Sequence, residues 1–209
     1  MNNMVDAFYV MDLIGTIAFA MSGAFVAIKQ EMDLLGVVIL GITTSIGGGI
    51  VRDILIGDIP PSGLITPIYQ IIAIAVSIIV FIPKVRKYIN LDSKFFVFVD
   101  AIGLGAFTIS GCIKALPFEN ILFQLFLGVL TGVGGGVLRD VFANQKPMIF
   151  VRDFYALASL IGAVVFMVLQ NQSQLVAMIA GLVTIVVLRM LAVTYKWHLP
   201  IAKWHLPKR

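Results

Sequence analysis

The sequence predicts an all-α integral membrane protein with seven transmembrane helices, arranged as two inverted three-helix repeats plus a seventh helix. Three observations support this prediction. The 209-residue chain is 60% hydrophobic and only 12% charged, whereas roughly 25% of the residues in a soluble domain are charged. Its apolar residues form seven stretches of membrane-spanning length, and the motif Gly-Gly-Gly-x-x-Arg-Asp occurs once in each half.

The seven apolar stretches define the predicted spans. A helix needs about 20 apolar residues to cross a hydrocarbon core of ~30 Å. Charged residues, Pro, Gly and Asn separate the stretches, which indicates turns between helices. The spans are predicted at about 8–28, 34–51, 66–83, 95–115, 120–138, 154–170 and 175–194.

Two pairs of segments show that the chain repeats itself. Asp12–Gly23 matches Asp100–Gly111 at seven of twelve positions, and Leu40–Asp53 matches Leu127–Asp140 at eight of fourteen. Each repeat contains three spans, so the second repeat enters the membrane from the opposite side. Inverted repeats are common in transporters and channels, which place their substrate or ion site at the repeat interface.

The whole chain, 1–209, is therefore predicted to be a single membrane domain. Repeat one covers about 8–83, repeat two about 95–170, and an extra closing helix about 175–194. A basic tail follows at 195–209 and contains Lys-Trp-His-Leu-Pro twice. Cationic and Trp side chains are typical of an interfacial anchor on membrane lipid, with a specific lipid or partner site as the alternative.

The distribution of Lys and Arg predicts the orientation. If the N-terminus is outside, thirteen of the fifteen basic residues lie on the inside, and only Arg52 and Lys114 lie outside. Cytoplasmic loops retain positive charge, so the N-terminus is predicted outside and the C-terminus inside a cell (plasma) membrane. The net charge of +4 suits an anionic inner leaflet and requires no nucleic acid partner.

Several functions are not expected from the composition. Cys112 is the only cysteine and both histidines lie in the tail, so neither an internal disulfide nor a His/Cys metal site is predicted, and no cofactor is expected. The first ten residues contain no Lys or Arg, so the first span is interpreted as retained and not as a cleaved signal peptide.

The glycine triplets are the first candidate site residues. Three consecutive glycines weaken a helix, and the backbone groups that they free must meet water or protein. A helix break beside a polar path is therefore predicted in the second and fifth spans. The residues are Gly47, Gly48, Gly49, Gly134, Gly135 and Gly136.

Charged residues at the span ends are the second set. Asp12 and Arg52 are predicted at the outer side, and Asp100 and Arg139 at the inner side. Each pair is interpreted either as a gate or as an ion pair that locks helix ends, and the two roles are compatible. Asp53 and Asp140, which follow the arginines, are candidates for capping the next turn or for attracting cations.

Hydroxyl side chains along the same spans are the third set. They are Ser22, Thr44, Ser110 and Thr131, with Thr16, Thr43 and Thr108 nearby. Small residues permit close helix packing, and Ser or Thr can bond to carbonyls of their own helix. Their recurrence beside the glycines favours a hydrated lining as the alternative.

Two Gly-Gly-Gly-x-x-Arg-Asp motifs in an inverted three-plus-three repeat with a seventh helix resemble the prokaryotic trimeric intracellular cation (TRIC) channel family. The resemblance covers nearly the whole chain. It implies a homotrimer in which each subunit has its own pore between spans 1, 2, 4 and 5. It also implies kinks at the six glycines, with Arg52, Asp53, Arg139 and Asp140 beside them, and conduction of monovalent cations, chiefly potassium but also sodium.

The alternative function is secondary transport of a small solute. The same bacterial sequence group is similar to proteins proposed to import glycine, and the chain has no Thr-Val-Gly-Tyr-Gly potassium filter,. An enzyme is not expected, because an intramembrane hydrolase would need a nucleophile with a base or two facing Asp residues. Asp12 and Asp100 start from opposite faces of the membrane, so they are not expected to form such a dyad.

Overall fold

A computed structural model of the protein describes residues 2–88, 93–151 and 154–197. The described residues form helices only, which confirms the all-α prediction. The helices are α1 Asn2–Lys29, α2 Leu34–Ile56, α3 Ser62–Ile65, α4 Pro67–Phe81, α5 Pro83–Tyr88, α6 Ser93–Ala115, α7 Ile121–Phe142, α8 Met148–Val151, α9 Tyr155–Leu169 and α10 Gln174–Thr194. Most of the basic tail lies outside the described residues.

All seven predicted spans correspond to apolar helices. Helices α1, α2, α6, α7 and α10 are long and apolar enough to cross a membrane. Helices α4 and α9 have 15 residues each and are therefore only about 22 Å long. A one-turn helix, α3 or α8, precedes each of them. The third span of each repeat is thus a short helix after a separate turn.

Local sequence determines where the helices begin and end. Asp33 precedes α2, and its side chain accepts a hydrogen bond of 2.7 Å from the backbone N–H of Gly36, which satisfies a free donor of the first turn. Helix α2 ends at Gly57, whose φ of 75° lies in the left-handed region that glycine adopts readily,. Asn120 begins α7 in the same way as Asp33 begins α2.

The two repeats pack in equivalent ways. Helix α1 contacts α2 and α4, and α6 correspondingly contacts α7 and α9. Between the repeats, α1 packs against α6 and α2 packs against α7. Helix α10 packs on α6 and α9, so the seventh helix covers repeat two, and among the described residues repeat one has no counterpart of it.

The helix break predicted at the glycine triplets is wrong. Helices α2 and α7 remain helical through both triplets, from Leu34 to Ile56 and from Ile121 to Phe142. The reason is that the glycines serve contact between helices. A Cβ atom on Gly48 would lie 2.3 Å from the carbonyl oxygen of Thr131, and one on Gly135 would lie 2.1 Å from that of Thr44. The two backbones therefore touch where side chains are absent. A bend without a break at these glycines stays a prediction.

Candidate functional site

The Arg-Asp pair of α2 forms a buried cluster near the end of that helix. Arg52 donates from Nε to Asp53 Oδ1 at 2.8 Å and from Nη1 to Ser110 Oγ at 2.8 Å. The second oxygen of Asp53 accepts from the backbone N–H of Ser62 at 2.8 Å and from its hydroxyl at 2.7 Å. Ser62 is the first residue of α3, so the carboxylate holds this short helix against α2.

The Arg-Asp pair of α7 repeats this arrangement. Arg139 donates from Nε to Asp140 Oδ1 at 2.8 Å and from Nη1 to Ser22 Oγ at 2.5 Å. Asp140 Oδ2 accepts from the backbone N–H of Met148, the first residue of α8, at 2.8 Å. Both acidic residues therefore bind the chain beyond their own helix, which is the position that the capping interpretation gives them.

The two arginines also join the repeats. Arg52 of repeat one bonds to Ser110 of repeat two, and Arg139 of repeat two bonds to Ser22 of repeat one. Buried hydrogen bonds to a charged donor contribute about 1.5–3 kcal/mol each. The exchange therefore stabilises the contact between the two halves.

The predicted ion pairs differ between the two sides. Arg139 Nη1 forms an ion pair with Asp100 Oδ1, and Ser22 donates to the same oxygen at 3.0 Å. The predicted pair of Asp12 with Arg52 is wrong, because within the described ranges no ion pair joins them. Arg52 reaches the Ser110 hydroxyl as Arg139 reaches Ser22, but the Asp12 carboxylate lies too far from the Arg52 guanidinium for a direct ion pair.

The threonines beside the glycines serve packing. Thr44 donates to the carbonyl of Leu40 and Thr131 to that of Leu127, each at 2.6 Å within the same helix. A Cβ on Gly23 would lie 2.5 Å from the Thr44 hydroxyl, and one on Gly111 would lie 2.6 Å from that of Thr131. Close packing of α1 on α2 and of α6 on α7 therefore depends on these small residues.

One polar cavity, which we call the Asp12 cavity, lies between α1, α2 and the α3–α4 segment. Its volume open to a water-sized sphere is about 20 Å³. Acidic, basic and hydroxyl side chains line it together with apolar ones. The lining residues are Asp12, Thr16, Ser45, Ile46, Gly49, Arg52, Ser62, Gly63, Tyr69 and Phe107.

A second and larger cavity, which we call the Lys29 cavity, is built around the α7 motif. Its volume open to a water-sized sphere is about 240 Å³. Arg139 and Asp140 line it together with Lys29 and Lys146, so three of its four charged lining residues are basic. Phe96 forms part of its wall, and the Lys29 ammonium and the Arg139 guanidinium lie 5.8 and 5.4 Å from the centre of that ring.

Sequence reasoning missed two residues of the α7 cluster. The Arg189 guanidinium of α10 lies 4.7 Å from the ring centre of Tyr155, and both side chains are buried. The Tyr155 hydroxyl lies 2.7 Å from where a Cβ on Gly136 would be, and Arg139 Nη2 lies 3.6 Å from that point. An arginine inside an apolar span was the available signal, because such residues rarely lie at membrane depth without a role.

Comparison with known proteins identifies the family. The family described as "Glycine transporter" matches the chain twice, at residues 9–84 and 97–171, which agrees with the internal repeat. The UPF0126 membrane protein YvgT of Bacillus subtilis is 37% identical over 96% of this chain and 98% of its own length. The UPF0126 inner membrane protein YadS of Escherichia coli K12 is 34% identical over 95% of this chain and 96% of its own.

The fold also matches solved structures. A structure described as the structural basis for conductance through TRIC cation channels is 40% identical, covers 96% of this chain and 99% of its own, and superposes with a TM-score of 0.84. The resemblance to the TRIC family drawn from the sequence is thereby confirmed. The chain is a multi-pass membrane protein that belongs to the UPF0126 family and has the TRIC fold.

Proposed function

We propose that this protein is a channel for monovalent cations, chiefly potassium, and that it works as a homotrimer with a separate pathway in each subunit. Its likeness over nearly the whole chain to a TRIC cation channel supports this function. The observation within the chain that carries it is a pair of polar cavities, one at the Arg-Asp motif of each repeat. Both motifs lie one helical turn from the contact of Gly48 with Gly135.

We infer that the pathway opens at this contact. Phe19 is fully buried beside it, and its ring would lie 3.0 Å from a Cβ on Gly135. Separation of α2 from α7 and movement of Phe19 would join the two cavities. We expect no enzymatic activity, because Asp12 and Asp100 belong to separate clusters and Asp100 is paired with Arg139.

Unitary currents test the channel. Purified protein in a planar bilayer should give discrete current steps. In a potassium gradient the reversal potential should approach the equilibrium potential of potassium. The same protein with a chloride gradient alone should not shift the reversal potential. Smooth uptake without current steps would contradict a channel.

A glycine carrier is the second candidate. The family description favours it, and so does the presence of a carboxylate and a guanidinium, Asp12 and Arg52, in one small cavity. A carboxylate and a guanidinium in one cavity suit the ammonium and carboxylate groups of a zwitterion. Labelled glycine uptake into the liposomes used for the current measurements, saturable and absent from empty liposomes, would decide for the carrier.

The orientation is a further prediction. With the N-terminus outside and the C-terminus inside, Cys at Asn2 should react with an impermeant thiol reagent added to intact cells. Cys at Lys208, which lies outside the described residues, should react only after permeabilisation. Both variants are made with Cys112→Ser, because a buried cysteine could label on opening. The reverse pattern would contradict the proposed orientation in the plasma membrane.

A further inference from the structure

We propose that Arg189 of α10 is a positioning residue of the pathway: it holds the Tyr155 ring against α7 and thereby keeps α7 packed on α2. The proposal rests on the proposed function, because it concerns the same α2–α7 contact at which the pathway is inferred to open. It goes further in assigning control of that contact to the seventh helix, which lies outside both repeats.

The first observation is the face of α7 that Tyr155 occupies. Helix α7 contacts α2 through a stripe of residues at helical spacing, namely Thr131, Gly134, Gly135 and Leu138. At about 3.6 residues per turn, Gly136 lies about 150° around the helix from the centre of this stripe. The Tyr155 hydroxyl lies 2.7 Å, and the ring carbon Cζ 3.6 Å, from where a Cβ on Gly136 would be. Tyr155 therefore supports α7 on the side that faces away from α2.

The second observation is how the ring fits the hollow that Gly136 leaves. A side chain at this position would overlap with the Tyr155 hydroxyl, because 2.7 Å is closer than van der Waals contact,. The hydroxyl is buried and has no hydrogen-bond partner among the described residues. The position of the ring thus depends on packing and on the contact that its face makes with α10.

The third observation is that contact. The Arg189 guanidinium lies 4.7 Å from the centre of the Tyr155 ring, and the two residues are only 1% and 2% exposed. A cation over an aromatic face is attracted electrostatically, and more strongly away from water. The flat guanidinium also stacks on such a face. Arg189 therefore fixes the ring from α10 while the hydroxyl end of the ring points at α7.

The charge of Arg189 indicates a role beyond packing. Helix α10 contains no other charged residue, and a buried charge at membrane depth is costly. A Leu or Met would fill the same volume without desolvation of a guanidinium. The charged groups that act on Tyr155 are two carboxylates and two guanidiniums, those of Asp100, Asp140, Arg139 and Arg189. Arg189 thus also balances the charge of the α7 cluster.

The end of α10 holds the start of α9 at a second point. Phe154, which precedes α9, has a φ of 64°, a left-handed conformation that bulky residues rarely adopt. Its ring centre lies 5.1 Å from that of Trp197, three residues beyond α10. Two neighbouring residues at the start of α9 are therefore held from α10 and the segment after it, so the position of Tyr155 follows that of α10.

These contacts connect α10 to the opening of the pathway. Because α2 and Tyr155 lie on opposite sides of α7, separation of α7 from α2 requires α7 to move toward the Tyr155 ring. The ring already fills the hollow at Gly136, so it must move as well, and its contact with Arg189 is then weakened. Arg189 consequently favours the closed arrangement, and its removal favours the open one.

Single-channel recording tests the proposal. Arg189→Gln should raise the ratio of open to closed time about fivefold to thirtyfold, the factor that corresponds to loss of one buried cation–π contact. Hydrogen exchange of the α7 backbone, measured by mass spectrometry on purified protein, should accelerate in the same variant, because exchange follows local opening.

Met178→Ala is the matched control on α10. Met178 is 1% exposed and packs in a cluster that does not include Tyr155. The substitution should lower the melting temperature, because it leaves a cavity. It should leave the ratio of open to closed time unchanged, whereas a merely structural role of Arg189 would make the two variants alike.

A second set of variants keeps all charges and serves should Arg189→Gln not fold. Gly136→Ala should push the Tyr155 ring out of its hollow and raise the ratio of open to closed time. Tyr155→Phe removes the hydroxyl and keeps the ring on Arg189, so alone it should change the ratio little. Combined with Gly136→Ala it should restore the original ratio, because Cζ lies 3.6 Å from the new methyl group, an ordinary contact distance.

Three results would overturn the proposal: an unchanged ratio in Arg189→Gln, an equal rise in Met178→Ala, or no reversal of the Gly136→Ala effect by Tyr155→Phe. Absence of unitary currents from the unaltered protein would refute the channel instead. In that case faster α7 exchange in Arg189→Gln would still support the positioning role, and unchanged exchange would overturn it.

Discussion

Gly135→Ala is expected to destabilise the folded protein and lower its melting temperature. The new methyl group would lie 2.1 Å from the backbone oxygen of Thr44 and 3.0 Å from the ring of Phe19. A backbone oxygen in a packed helix cannot move aside alone, so α2 and α7 would have to separate. Overpacking costs about 1–3 kcal/mol and occasionally more, which exceeds the gain of about 1 kcal/mol from better helix propensity.

Gly48→Ala should behave in the same way, because its methyl group would lie 2.3 Å from the oxygen of Thr131. The two changes affect one contact, so the double variant should lose less stability than the sum of the single losses. Melting temperature and the yield of monodisperse protein after size-exclusion chromatography measure the effect.

Gly49→Ala is the matched control, because it comes from the same triplet and introduces the same methyl group. Its nearest neighbour would be Arg52 Nη2 at 3.7 Å, an ordinary contact distance. This variant should fold and be as stable as the natural protein or slightly more stable. Equal losses of stability at Gly48, Gly49 and Gly135 would contradict the packing explanation. Such a result would indicate that low helix propensity at the triplets is itself required.

Asp100→Ala is expected to cost about 3–5 kcal/mol, because it leaves the Arg139 guanidinium buried with one carboxylate fewer. Both side chains of this pair have no exposed surface. Arg139→Ala should cost a similar amount, and the double variant should lose clearly less than the sum. Thermal unfolding of the unaltered protein, the two single variants and the double variant gives the coupling free energy.

Asp12→Ala and Arg52→Ala form the matching double-mutant cycle in repeat one, and here the coupling free energy should be smaller than in repeat two, because the two charges attract each other without a direct ion pair. No ion pair joins these residues in the part of the chain that the structure describes, since Arg52 pairs with Asp53. The charge pair of repeat two should thus hold its helix ends more strongly than that of repeat one. Equal coupling in both cycles would show that Asp12 and Arg52 pair as the repeat suggests. Additive losses for Asp100 and Arg139 would refute the lock.

Much of the fold could be predicted from the order of residues in the sequence. Each of the seven apolar stretches corresponds to a helix, and within the described residues five of these helices are long enough to cross a membrane. The sequence repeat around Gly48 and Gly135 predicted that the two halves contain equivalent helices. The family match at 9–84 and 97–171 agrees with this. Helix ends were less predictable, because α2 and α7 continue beyond the apolar stretch through their Arg-Asp motifs.

The glycine triplets show where sequence reasoning reached the right residues but missed the contact that they make. A triplet lowers helix propensity, which suggested a break. In the structure, contact between α2 and α7 compensates for that low propensity, and the helices remain continuous. Propensity is a local quantity, whereas close packing of Gly135 on Thr44 is defined only once two distant segments meet.

The sequence by itself determined the class of protein, the repeat and the identity of the charged residues at its ends. Only the tertiary structure decided which charges pair. Two equivalent motifs have different surroundings because α10 packs on repeat two and brings Arg189 to Tyr155, and because Arg139 pairs with Asp100 whereas Arg52 does not pair with Asp12. Side-chain partners depend on competition among neighbours in space, and a repeat in sequence does not specify those neighbours.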